Sequence, residues 1–343
     1  MTAQADTTAA PGRAGILVGI LRRRSTVVAG GFLLLLILAA LLAPVISPYD
    51  PDAQEIVNRL QPPTADHLLG TDDYGRDVLS RLVHGARVSL WAAAQAVAVA
   101  LLIGLPLGVV AGYRGGWLGA LLTRIMDALM SAPSLVLAIT IVAVLGPGIT
   151  NAMVAVGLVM APRFFRVARA STMDVRHETY IEASIALGCS NLRTAVRHIM
   201  PNVLPPIILV ISVSLGTAVA AEASLSFLGL GVRAPQASWG SMLSTASSNI
   251  TLAPYLIWPP GVMIFLTVLA FTYLGDGVRR GMLRSRSANS EKELPWPCWR
   301  SATSRWSSPL RPASGSRWWT RSRCASTRAR RWAWSASPVP ARR

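Results

Sequence analysis

Residues 27–46 read VVAGGFLLLLILAALLAPVI and follow three consecutive arginines, Arg22, Arg23 and Arg24. A helix needs about 20 predominantly apolar residues to cross the hydrocarbon core of a bilayer, and this uncharged stretch has that length. A cleaved signal peptide shows the same order of basic, apolar and small-residue regions. Because the apolar run is long for a signal peptide and further runs follow it, the stretch predicts the first of several membrane-spanning helices.

The composition of the whole chain also indicates a membrane protein. Its 343 residues are 52% hydrophobic and 14% charged, whereas about 25% of residues are charged in a typical soluble domain. Further apolar runs cover residues 90–112, 128–146, 149–161, 203–221 and 256–274. The fourth of the six runs is short and can extend through Phe164 and Phe165. We therefore predict an all-α polytopic membrane protein with six transmembrane helices.

The arginines predict how these helices are oriented. Residues 162–202 contain six Arg against three acidic residues, whereas Arg233 is the only basic residue in the stretch 223–254. Four more Arg follow the sixth run between residues 279 and 286. Basic residues accumulate in the cytoplasmic connections of membrane proteins. We therefore expect the N-terminus and residues 162–202 to be cytoplasmic, and residues 48–87 to be external.

The expected external segment changes character along its length. Its first part is rich in proline, which is incompatible with one continuous helix. Its second part, HLLGTDDYGRDVLSRLVHGARVSL at residues 67–90, has apolar residues at helical spacing. Within this amphipathic part Asp77 and Arg81 are four residues apart, a spacing that favours an ion pair on a helix.

The expected cytoplasmic connection contains the sequence YIEASIALG at residues 180–188. Good helix formers at residues 182–187 predict a short helix, and Gly188 predicts its end. Pro201 is expected to fix the chain just before the fifth span. Taken alone, these residues are compatible with an interfacial helix in which Glu182 is a solvated charge and His198 a polar loop residue.

Three separate stretches resemble one known family. Glu182-Ala183 followed by Gly188 and Pro201 resembles the EAA loop of binding-protein-dependent ABC transporter permeases, with Ser184 in the place of a second alanine. Residues 67–90 and residues 223–242 (ASLSFLGLGVRAPQASWGSM) resemble the peptide and nickel permease subfamily, and specifically the dipeptide or oligopeptide subunit type with an extra N-terminal span. The resemblance covers about residues 20–285.

The resemblance implies an ABC transporter type-1 transmembrane fold and a non-catalytic permease subunit of an ATP-driven importer. The cargo implied is di- or oligopeptides, with nickel or another small solute as the alternative. The implied partners are ATP-binding cassette subunits that hydrolyse ATP, a second permease subunit, an external substrate-binding protein and membrane lipid. The implied location is the bacterial plasma (inner) membrane. The residues implied to form the coupling loop to the ATPase are Glu182, Ala183, Ser184, Gly188, His198 and Pro201.

The motifs of the chain agree with a permease subunit whose partner hydrolyses ATP. No Gly-rich phosphate loop ending in Lys-Ser/Thr occurs, and the only lysine is Lys292. We expect no cofactor, metal site or catalytic residue. An ion-coupled transporter that works without ATP is an alternative, against which the EAA-like loop argues.

These features divide the chain into five parts. They are a cytoplasmic segment (1–26), a first transmembrane helix (27–47), an external linker (48–87), a type-1 transmembrane domain (88–277, with a coupling loop at 162–202) and a tail (291–343). Glu222 lies near the external end of the fifth span. Ionisable groups are costly in membranes and often functional there, so Glu222 is a candidate residue of the translocation path.

The tail differs from the rest of the chain. Residues 296–343 hold eleven Arg and seven Trp but no acidic residue, and so account for 11 of the formal charge of +17. Arginines with aromatic residues bind single-stranded nucleic acids, so a membrane-anchored nucleic-acid binder is the alternative from another functional class.

A different origin of the tail is possible because its residues can be encoded by DNA that reads differently in another frame. DNA can be written for residues 296–306 whose shifted frame reads MALLEVRDLSV, and for residues 327–343 so that the same frame reads DAGEALGLVGESGAGKT. The first resembles the start of an ABC ATPase, and the second contains a phosphate loop. We expect the tail to be a disordered, out-of-frame reading of a downstream ATPase gene, and we expect no nucleic-acid partner.

Overall fold

A computed structural model describes residues 24–292. The predictions for residues 1–23 and for the tail from residue 293 onward lie outside the described residues. Within the described range the chain forms eleven α-helices. They are α1 (Arg24–Leu41), α2 (Ala43–Ile46), α3 (Val78–Arg114), α4 (Gly116–Ser131), α5 (Ser134–Leu145), α6 (Ile149–Arg176), α7 (Thr179–Ala186), α8 (Asn191–Thr194), α9 (Met200–Phe227), α10 (Trp239–Ser248) and α11 (Trp258–Lys292).

Five helical stretches are long and apolar enough to cross a membrane, and the pair α4 and α5 supplies a sixth if it is counted as one bent span. The five stretches are Arg24–Leu41, Val78–Arg114, Ile149–Arg176, Asn191–Phe227 and Pro254–Gly281. The prediction of an all-helical membrane protein is confirmed. The amphipathic part of the linker is helical only from Val78 onward, where it forms one continuous helix, α3, with the second apolar run.

The expectation of one continuous helix over residues 128–146 was wrong. Helix α4 ends at Ser131, α5 begins at Ser134, and the two helices enclose an angle of 96°. Ala132 between them has an extended backbone, with φ −90° and ψ 147°. This bend follows from Pro133, since proline disfavours the helical conformation of the residue before it.

The fourth run extends much further than its apolar sequence indicated. Helix α6 continues to Arg176, so residues 162–176 are helical and the loop begins at residue 177 rather than at 162. The helix continues through residues 162–176 because one of its faces is buried there. Phe164, Phe165, Ala168 and Thr172 are fully buried, so packing rather than uniform hydrophobicity maintains the helix.

That face of α6 packs against glycines of α3. Gly104, Gly108 and Gly112 are spaced four residues apart and therefore lie on one side of α3. A Cβ atom on Gly108 would lie 2.6 Å from the carbonyl oxygen of Phe165 and 2.7 Å from the Cβ of Ala168. Small residues at this spacing allow helix backbones to approach closely in membranes, and these three fix the α3–α6 pair at the centre of the fold.

Trp239 connects α10 to the same central helix. Its side chain is fully buried, and its indole nitrogen donates a hydrogen bond to the carbonyl oxygen of Leu82 at 3.0 Å. Its backbone nitrogen donates to the Ser89 hydroxyl at 3.3 Å. Helix α10 is therefore held against the first turns of α3, beside the segment that precedes that helix.

Candidate functional site

Residues 177–202 are called the loop segment below; they comprise the connection between α6 and α9 and the first three residues of α9. Helix α7 lies near the start of the segment and has the short length that the sequence predicts. Gly188 follows α7 with a φ of +82°, a conformation that glycine adopts more readily than other residues. The amide of Cys189 then donates to the Ser184 carbonyl oxygen at 3.1 Å. The prediction that Gly188 ends this helix is confirmed.

Two sets of contacts hold the loop segment to the spans. The side-chain amide of Asn202 donates to the Tyr180 hydroxyl at 2.9 Å and to the His198 carbonyl oxygen at 2.8 Å. The Tyr113 hydroxyl, near the end of α3, donates to the Asn191 side-chain oxygen at 3.0 Å. The loop segment is therefore tied both to the start of α9 and to the end of α3.

The surroundings of Tyr180 change the pKa of its hydroxyl. Burial raises the pKa of Tyr180 above its ordinary value, and the Glu178 carboxylate raises it further. The oxygen of this hydroxyl accepts the hydrogen bond from Asn202. Beside it, Ile181 is fully buried. Helix α7 thus has one face packed against the protein.

The chain enters α9 through a capped turn. The hydroxyl of Ser190 accepts a hydrogen bond from the Arg193 amide at 3.4 Å, which caps α8. A single π-helical turn, Ala195–Ile199, then leads into α9, with Pro201 in the first turn of that helix. Proline is tolerated there because the first amides of a helix have no partner within it. Pro201, which was expected just before the fifth span, lies within the first turn of α9 instead.

The six residues implied for the coupling loop occupy different positions. Glu182, Ala183, Gly188 and Pro201 are exposed, and Ser184 and His198 are half-buried. The Ser184 hydroxyl donates to the Ile181 carbonyl oxygen at 2.8 Å. The structure thus brings all six into one segment with an accessible surface.

Sequence reasoning missed the apolar part of that surface. Leu187 is 86% exposed, Leu192 is 76% exposed and Val196 is 59% exposed. These residues follow one another through the loop segment, among basic and acidic side chains. A group of exposed large apolar side chains rimmed by polar ones is typical of a protein interaction site. Hydropathy alone could not single them out, because Ile181 and Ile199 in the same connection are equally apolar and are fully buried.

Glu222 lies in α9 where that helix meets α3 and α10. Only 1% of the residue is exposed, and its carboxylate accepts a hydrogen bond from the Ser226 hydroxyl at 2.7 Å. The side chains of Ser89 and Ser238 also lie beside the carboxyl group. In this conformation Glu222 is covered by its own chain, so its role in a translocation path stays a prediction.

The segment before α3 contains an ion-pair cluster that differs from the predicted one. Asp77 does not pair with Arg81. It is the N-cap of α3: it accepts from the Ser80 amide at 2.7 Å and lies 3.1 Å from the His67 ring nitrogen. Arg81 instead lies 3.5 Å from an Asp72 oxygen. The reason is that an N-cap side chain folds back onto the first turn, where it cannot reach position i+4.

Comparison with known proteins identifies the family. The sequence pattern of the family described as "Binding-protein-dependent transport system inner membrane component" matches residues 104–285, which is more than half of the chain. A second pattern, the "N-terminal TM domain of oligopeptide transport permease C", matches residues 20–63. The first match contains the end of α3 and all of α6 and α9, and the second contains the first span.

Three curated relatives align with most of the chain. The dipeptide transport system permease protein DppC of Alkalihalophilus pseudofirmus is 42% identical over 240 residues, 70% of this chain and 79% of that protein. The di/tripeptide transport system permease protein DppC of Pseudomonas aeruginosa is 41% identical and covers 70% and 81%. The glutathione transport system permease protein GsiD of Escherichia coli is 40% identical and covers 70% and 80%.

A solved structure of the MetNI methionine ABC transporter in an inward-facing conformation is also similar to this chain. The identity is 21% and the TM-score 0.49, over 58% of this chain and 95% of the solved one. The resemblance of the chain to the peptide and nickel permease subfamily is confirmed by the family patterns and the curated relatives. The chain therefore belongs to the family of binding-protein-dependent transport system inner membrane components.

Proposed function

We propose that the chain is the permease subunit of an ATP-driven importer and forms part of the translocation path for di- or oligopeptides. The cargo is inferred from the identity of 40–42% to three permeases. They are named for dipeptides, for di- and tripeptides and for glutathione, and all of these are peptides. Nickel or another small solute is the alternative cargo.

The proposal assigns the loop segment to the contact with an ATP-binding subunit. The geometry supports this role in two ways. One side of the segment is hydrogen-bonded to α3 and α9 through Tyr113, Tyr180 and Asn202. A displacement of the segment is therefore transmitted to both helices. Its outer face offers Glu182 and the exposed apolar residues Leu187 and Leu192.

The remaining partners follow from the same proposal. A second permease subunit completes the path, and an external binding protein delivers the peptide. The N-terminus and the loop segment lie in the cytoplasm, and the protein resides in the bacterial inner membrane. Residues 162–202 contain six Arg against three acidic residues, and this supports the orientation because basic residues accumulate on the cytoplasmic side of membrane proteins.

Two glycines allow a matched test of the loop segment. Gly188 and Gly229 both have a positive φ, +82° and +77°, and an added Cβ atom would meet no atom within 4 Å at either position. Both are exposed, but Gly229 follows α9 at the end of that helix away from the loop segment. The same substitution therefore imposes the same backbone strain at both sites.

We predict that Gly188→Arg lowers peptide uptake by about tenfold or more, the effect of losing roughly 1.4 kcal/mol of docking free energy, while insertion is retained and ATP hydrolysis is uncoupled from transport. Gly229→Arg should transport near the wild-type rate. The measurement is ATP hydrolysis and tripeptide uptake by proteoliposomes that contain the complete transporter. Normal uptake with Gly188→Arg would contradict the assignment of the loop segment.

A further inference from the structure

A small cavity lies between the segment before α3 and helix α10. Its volume is about 240 Å³, and its lining combines charged and apolar side chains, among them Asp73, Arg76, Val78, Met242, Thr245 and Leu256. Pockets that enclose a drug-sized ligand measure about 300–1,000 Å³. The cavity is therefore suited to one end of a larger guest.

Two of the charged groups at this cavity are fully engaged. Asp72 accepts hydrogen bonds from the amides of Tyr74 at 2.8 Å and Arg76 at 2.9 Å. Arg81 is held by Asp72 and Asp52, at 3.5 Å and 3.4 Å, and donates to the carbonyl oxygen of Pro51 at 2.8 Å. These contacts shape the wall of the cavity and leave neither group free for a guest.

Two other charged side chains, Asp73 and Arg76, each contain a buried atom without a hydrogen-bond partner among the described residues. Within residues 24–292, one carboxylate oxygen of Asp73 is buried and has no hydrogen-bond partner. Arg76 is only 6% exposed, and its Nε also lacks a hydrogen-bond partner within this range, the Asp72 carboxylate being 3.7 Å away. Buried polar atoms in folded proteins are nearly always hydrogen-bonded, so Asp73 and Arg76 are the charged groups of this cavity that keep bonding capacity for a guest.

The surroundings of Asp73 favour a cationic group. Burial raises the pKa of Asp73 above its ordinary value, and the neighbouring Asp72 carboxylate raises it further, against the smaller opposing effects of Arg76 and Arg81. A negatively charged guest would face Asp72 and Asp73 together. A positively charged guest would relieve the repulsion between them.

We propose that this cavity binds the free amino end of a peptide. The ammonium group pairs with Asp73, the first carbonyl oxygen accepts a hydrogen bond from Arg76, and the first side chain lies against Val78, Met242 and Leu256. A peptide end has these three features within a few bonds of one another, which matches a cavity that has an acid, a buried donor and an apolar wall. The proposal rests on the proposed function, because it specifies which part of the peptide the permease recognises.

The test is equilibrium binding of radiolabelled tri-alanine to the purified permease complex with its ATP-binding subunits and without the external binding protein. We expect Asp73→Asn to weaken binding by about tenfold or more, since a charge pair loses one partner, and Asp73→Glu to restore part of it. N-acetyl-tri-alanine, which has no ammonium group, should bind the wild-type complex as weakly as tri-alanine binds Asp73→Asn. Asp66→Asn is the matched control, because Asp66 is an exposed residue of the same segment, and it should bind tri-alanine normally.

A second variant keeps the proposal testable if Asp73→Asn disturbs folding. Thr245→Trp fills the cavity from α10 and should abolish tri-alanine binding while the subunits still co-purify. Binding of tri-alanine to Asp73→Asn at wild-type strength, equal binding of the acetylated peptide, or no binding to the wild type would each overturn the site. Uptake of tri-alanine by intact cells is measured separately. Uptake by Asp73→Asn that equals wild-type uptake overturns the site alone. Binding of tri-alanine without its uptake by the wild type overturns the proposed function alone.

Discussion

Glu222 is an acidic side chain inside a membrane-spanning helix, and its neighbours decide what it can do. Its carboxylate is held by Ser226 within α9, and the whole residue is 1% exposed. A burial this complete is expensive for an ionised group. If Glu222 contacts cargo, it does so only when the end of α9 separates from α10 during the transport cycle.

We predict that Glu222→Gln impairs uptake without loss of assembly. The amide oxygen of glutamine can still accept the Ser226 hydrogen bond, so the local packing is preserved and only the ionisable group is removed. The measurement is the KM and maximal rate of peptide uptake, with co-purification of the ATP-binding subunits as the control for assembly. Unchanged uptake kinetics would remove Glu222 from the translocation path.

Single residues also show where sequence reasoning reached its limit. Gly188 and Pro201 have local conformational requirements, so their places at the end of α7 and the start of α9 could be predicted. The partner of Asp77 could not, because the spacing to Arg81 suits both an ion pair and a helix cap. Only the position of the first turn of α3 decides between them, and the helix starts immediately after Asp77.

At the level of helices, apolar runs located the spans but not their bounds. Residues 128–146 contain no charged residue, and the two helices that share this stretch still enclose an angle of 96°, a break for which Pro133 was the available signal. Helix α6 passes the end of its apolar run, because Phe164 and Phe165 are buried by α3. The exposed Leu187 and Leu192 are a further property of packing that hydropathy does not report.

The α3–α6 contact provides a prediction at this scale. Gly108→Ala places a Cβ atom 2.6 Å from the Phe165 carbonyl oxygen, so the two helices must separate. We expect a loss of roughly 1–3 kcal/mol, the usual cost of overpacking, seen as a lower midpoint of thermal unfolding in detergent. Gly31→Ala in α1 is the matched control, since a Cβ atom there meets nothing within 4 Å. Equal midpoints for the two variants would contradict the close α3–α6 packing.

At the scale of the whole molecule, the formal charge of +17 has two parts. The stretch from residue 296 onward contributes +11, and the remaining +6 belongs to the part that carries the spans. The asymmetry of these remaining arginines, concentrated in residues 162–202 and after the last apolar run, orients the spans. The distribution of arginines along residues 1–295 therefore indicates the topology, whereas the total charge of +17 does not indicate the partners.

This orientation predicts the outcome of fusions to alkaline phosphatase, whose disulfides form only outside the cytoplasm. A fusion after Tyr180 should be inactive, because that residue lies in the cytoplasmic loop segment. A fusion after Ser248, at the end of α10, should be active. High phosphatase activity at Tyr180 together with low activity at Ser248 would reverse the orientation.

The most direct test of the account is ATP-driven uptake of labelled tri-alanine by proteoliposomes that contain this chain, its ATP-binding subunits and the second permease. We predict uptake that requires this chain, ATP and the external binding protein. Uptake of the same size without this chain, or uptake that an ion gradient drives in the absence of ATP, would contradict the assignment of the chain as the permease of a peptide importer.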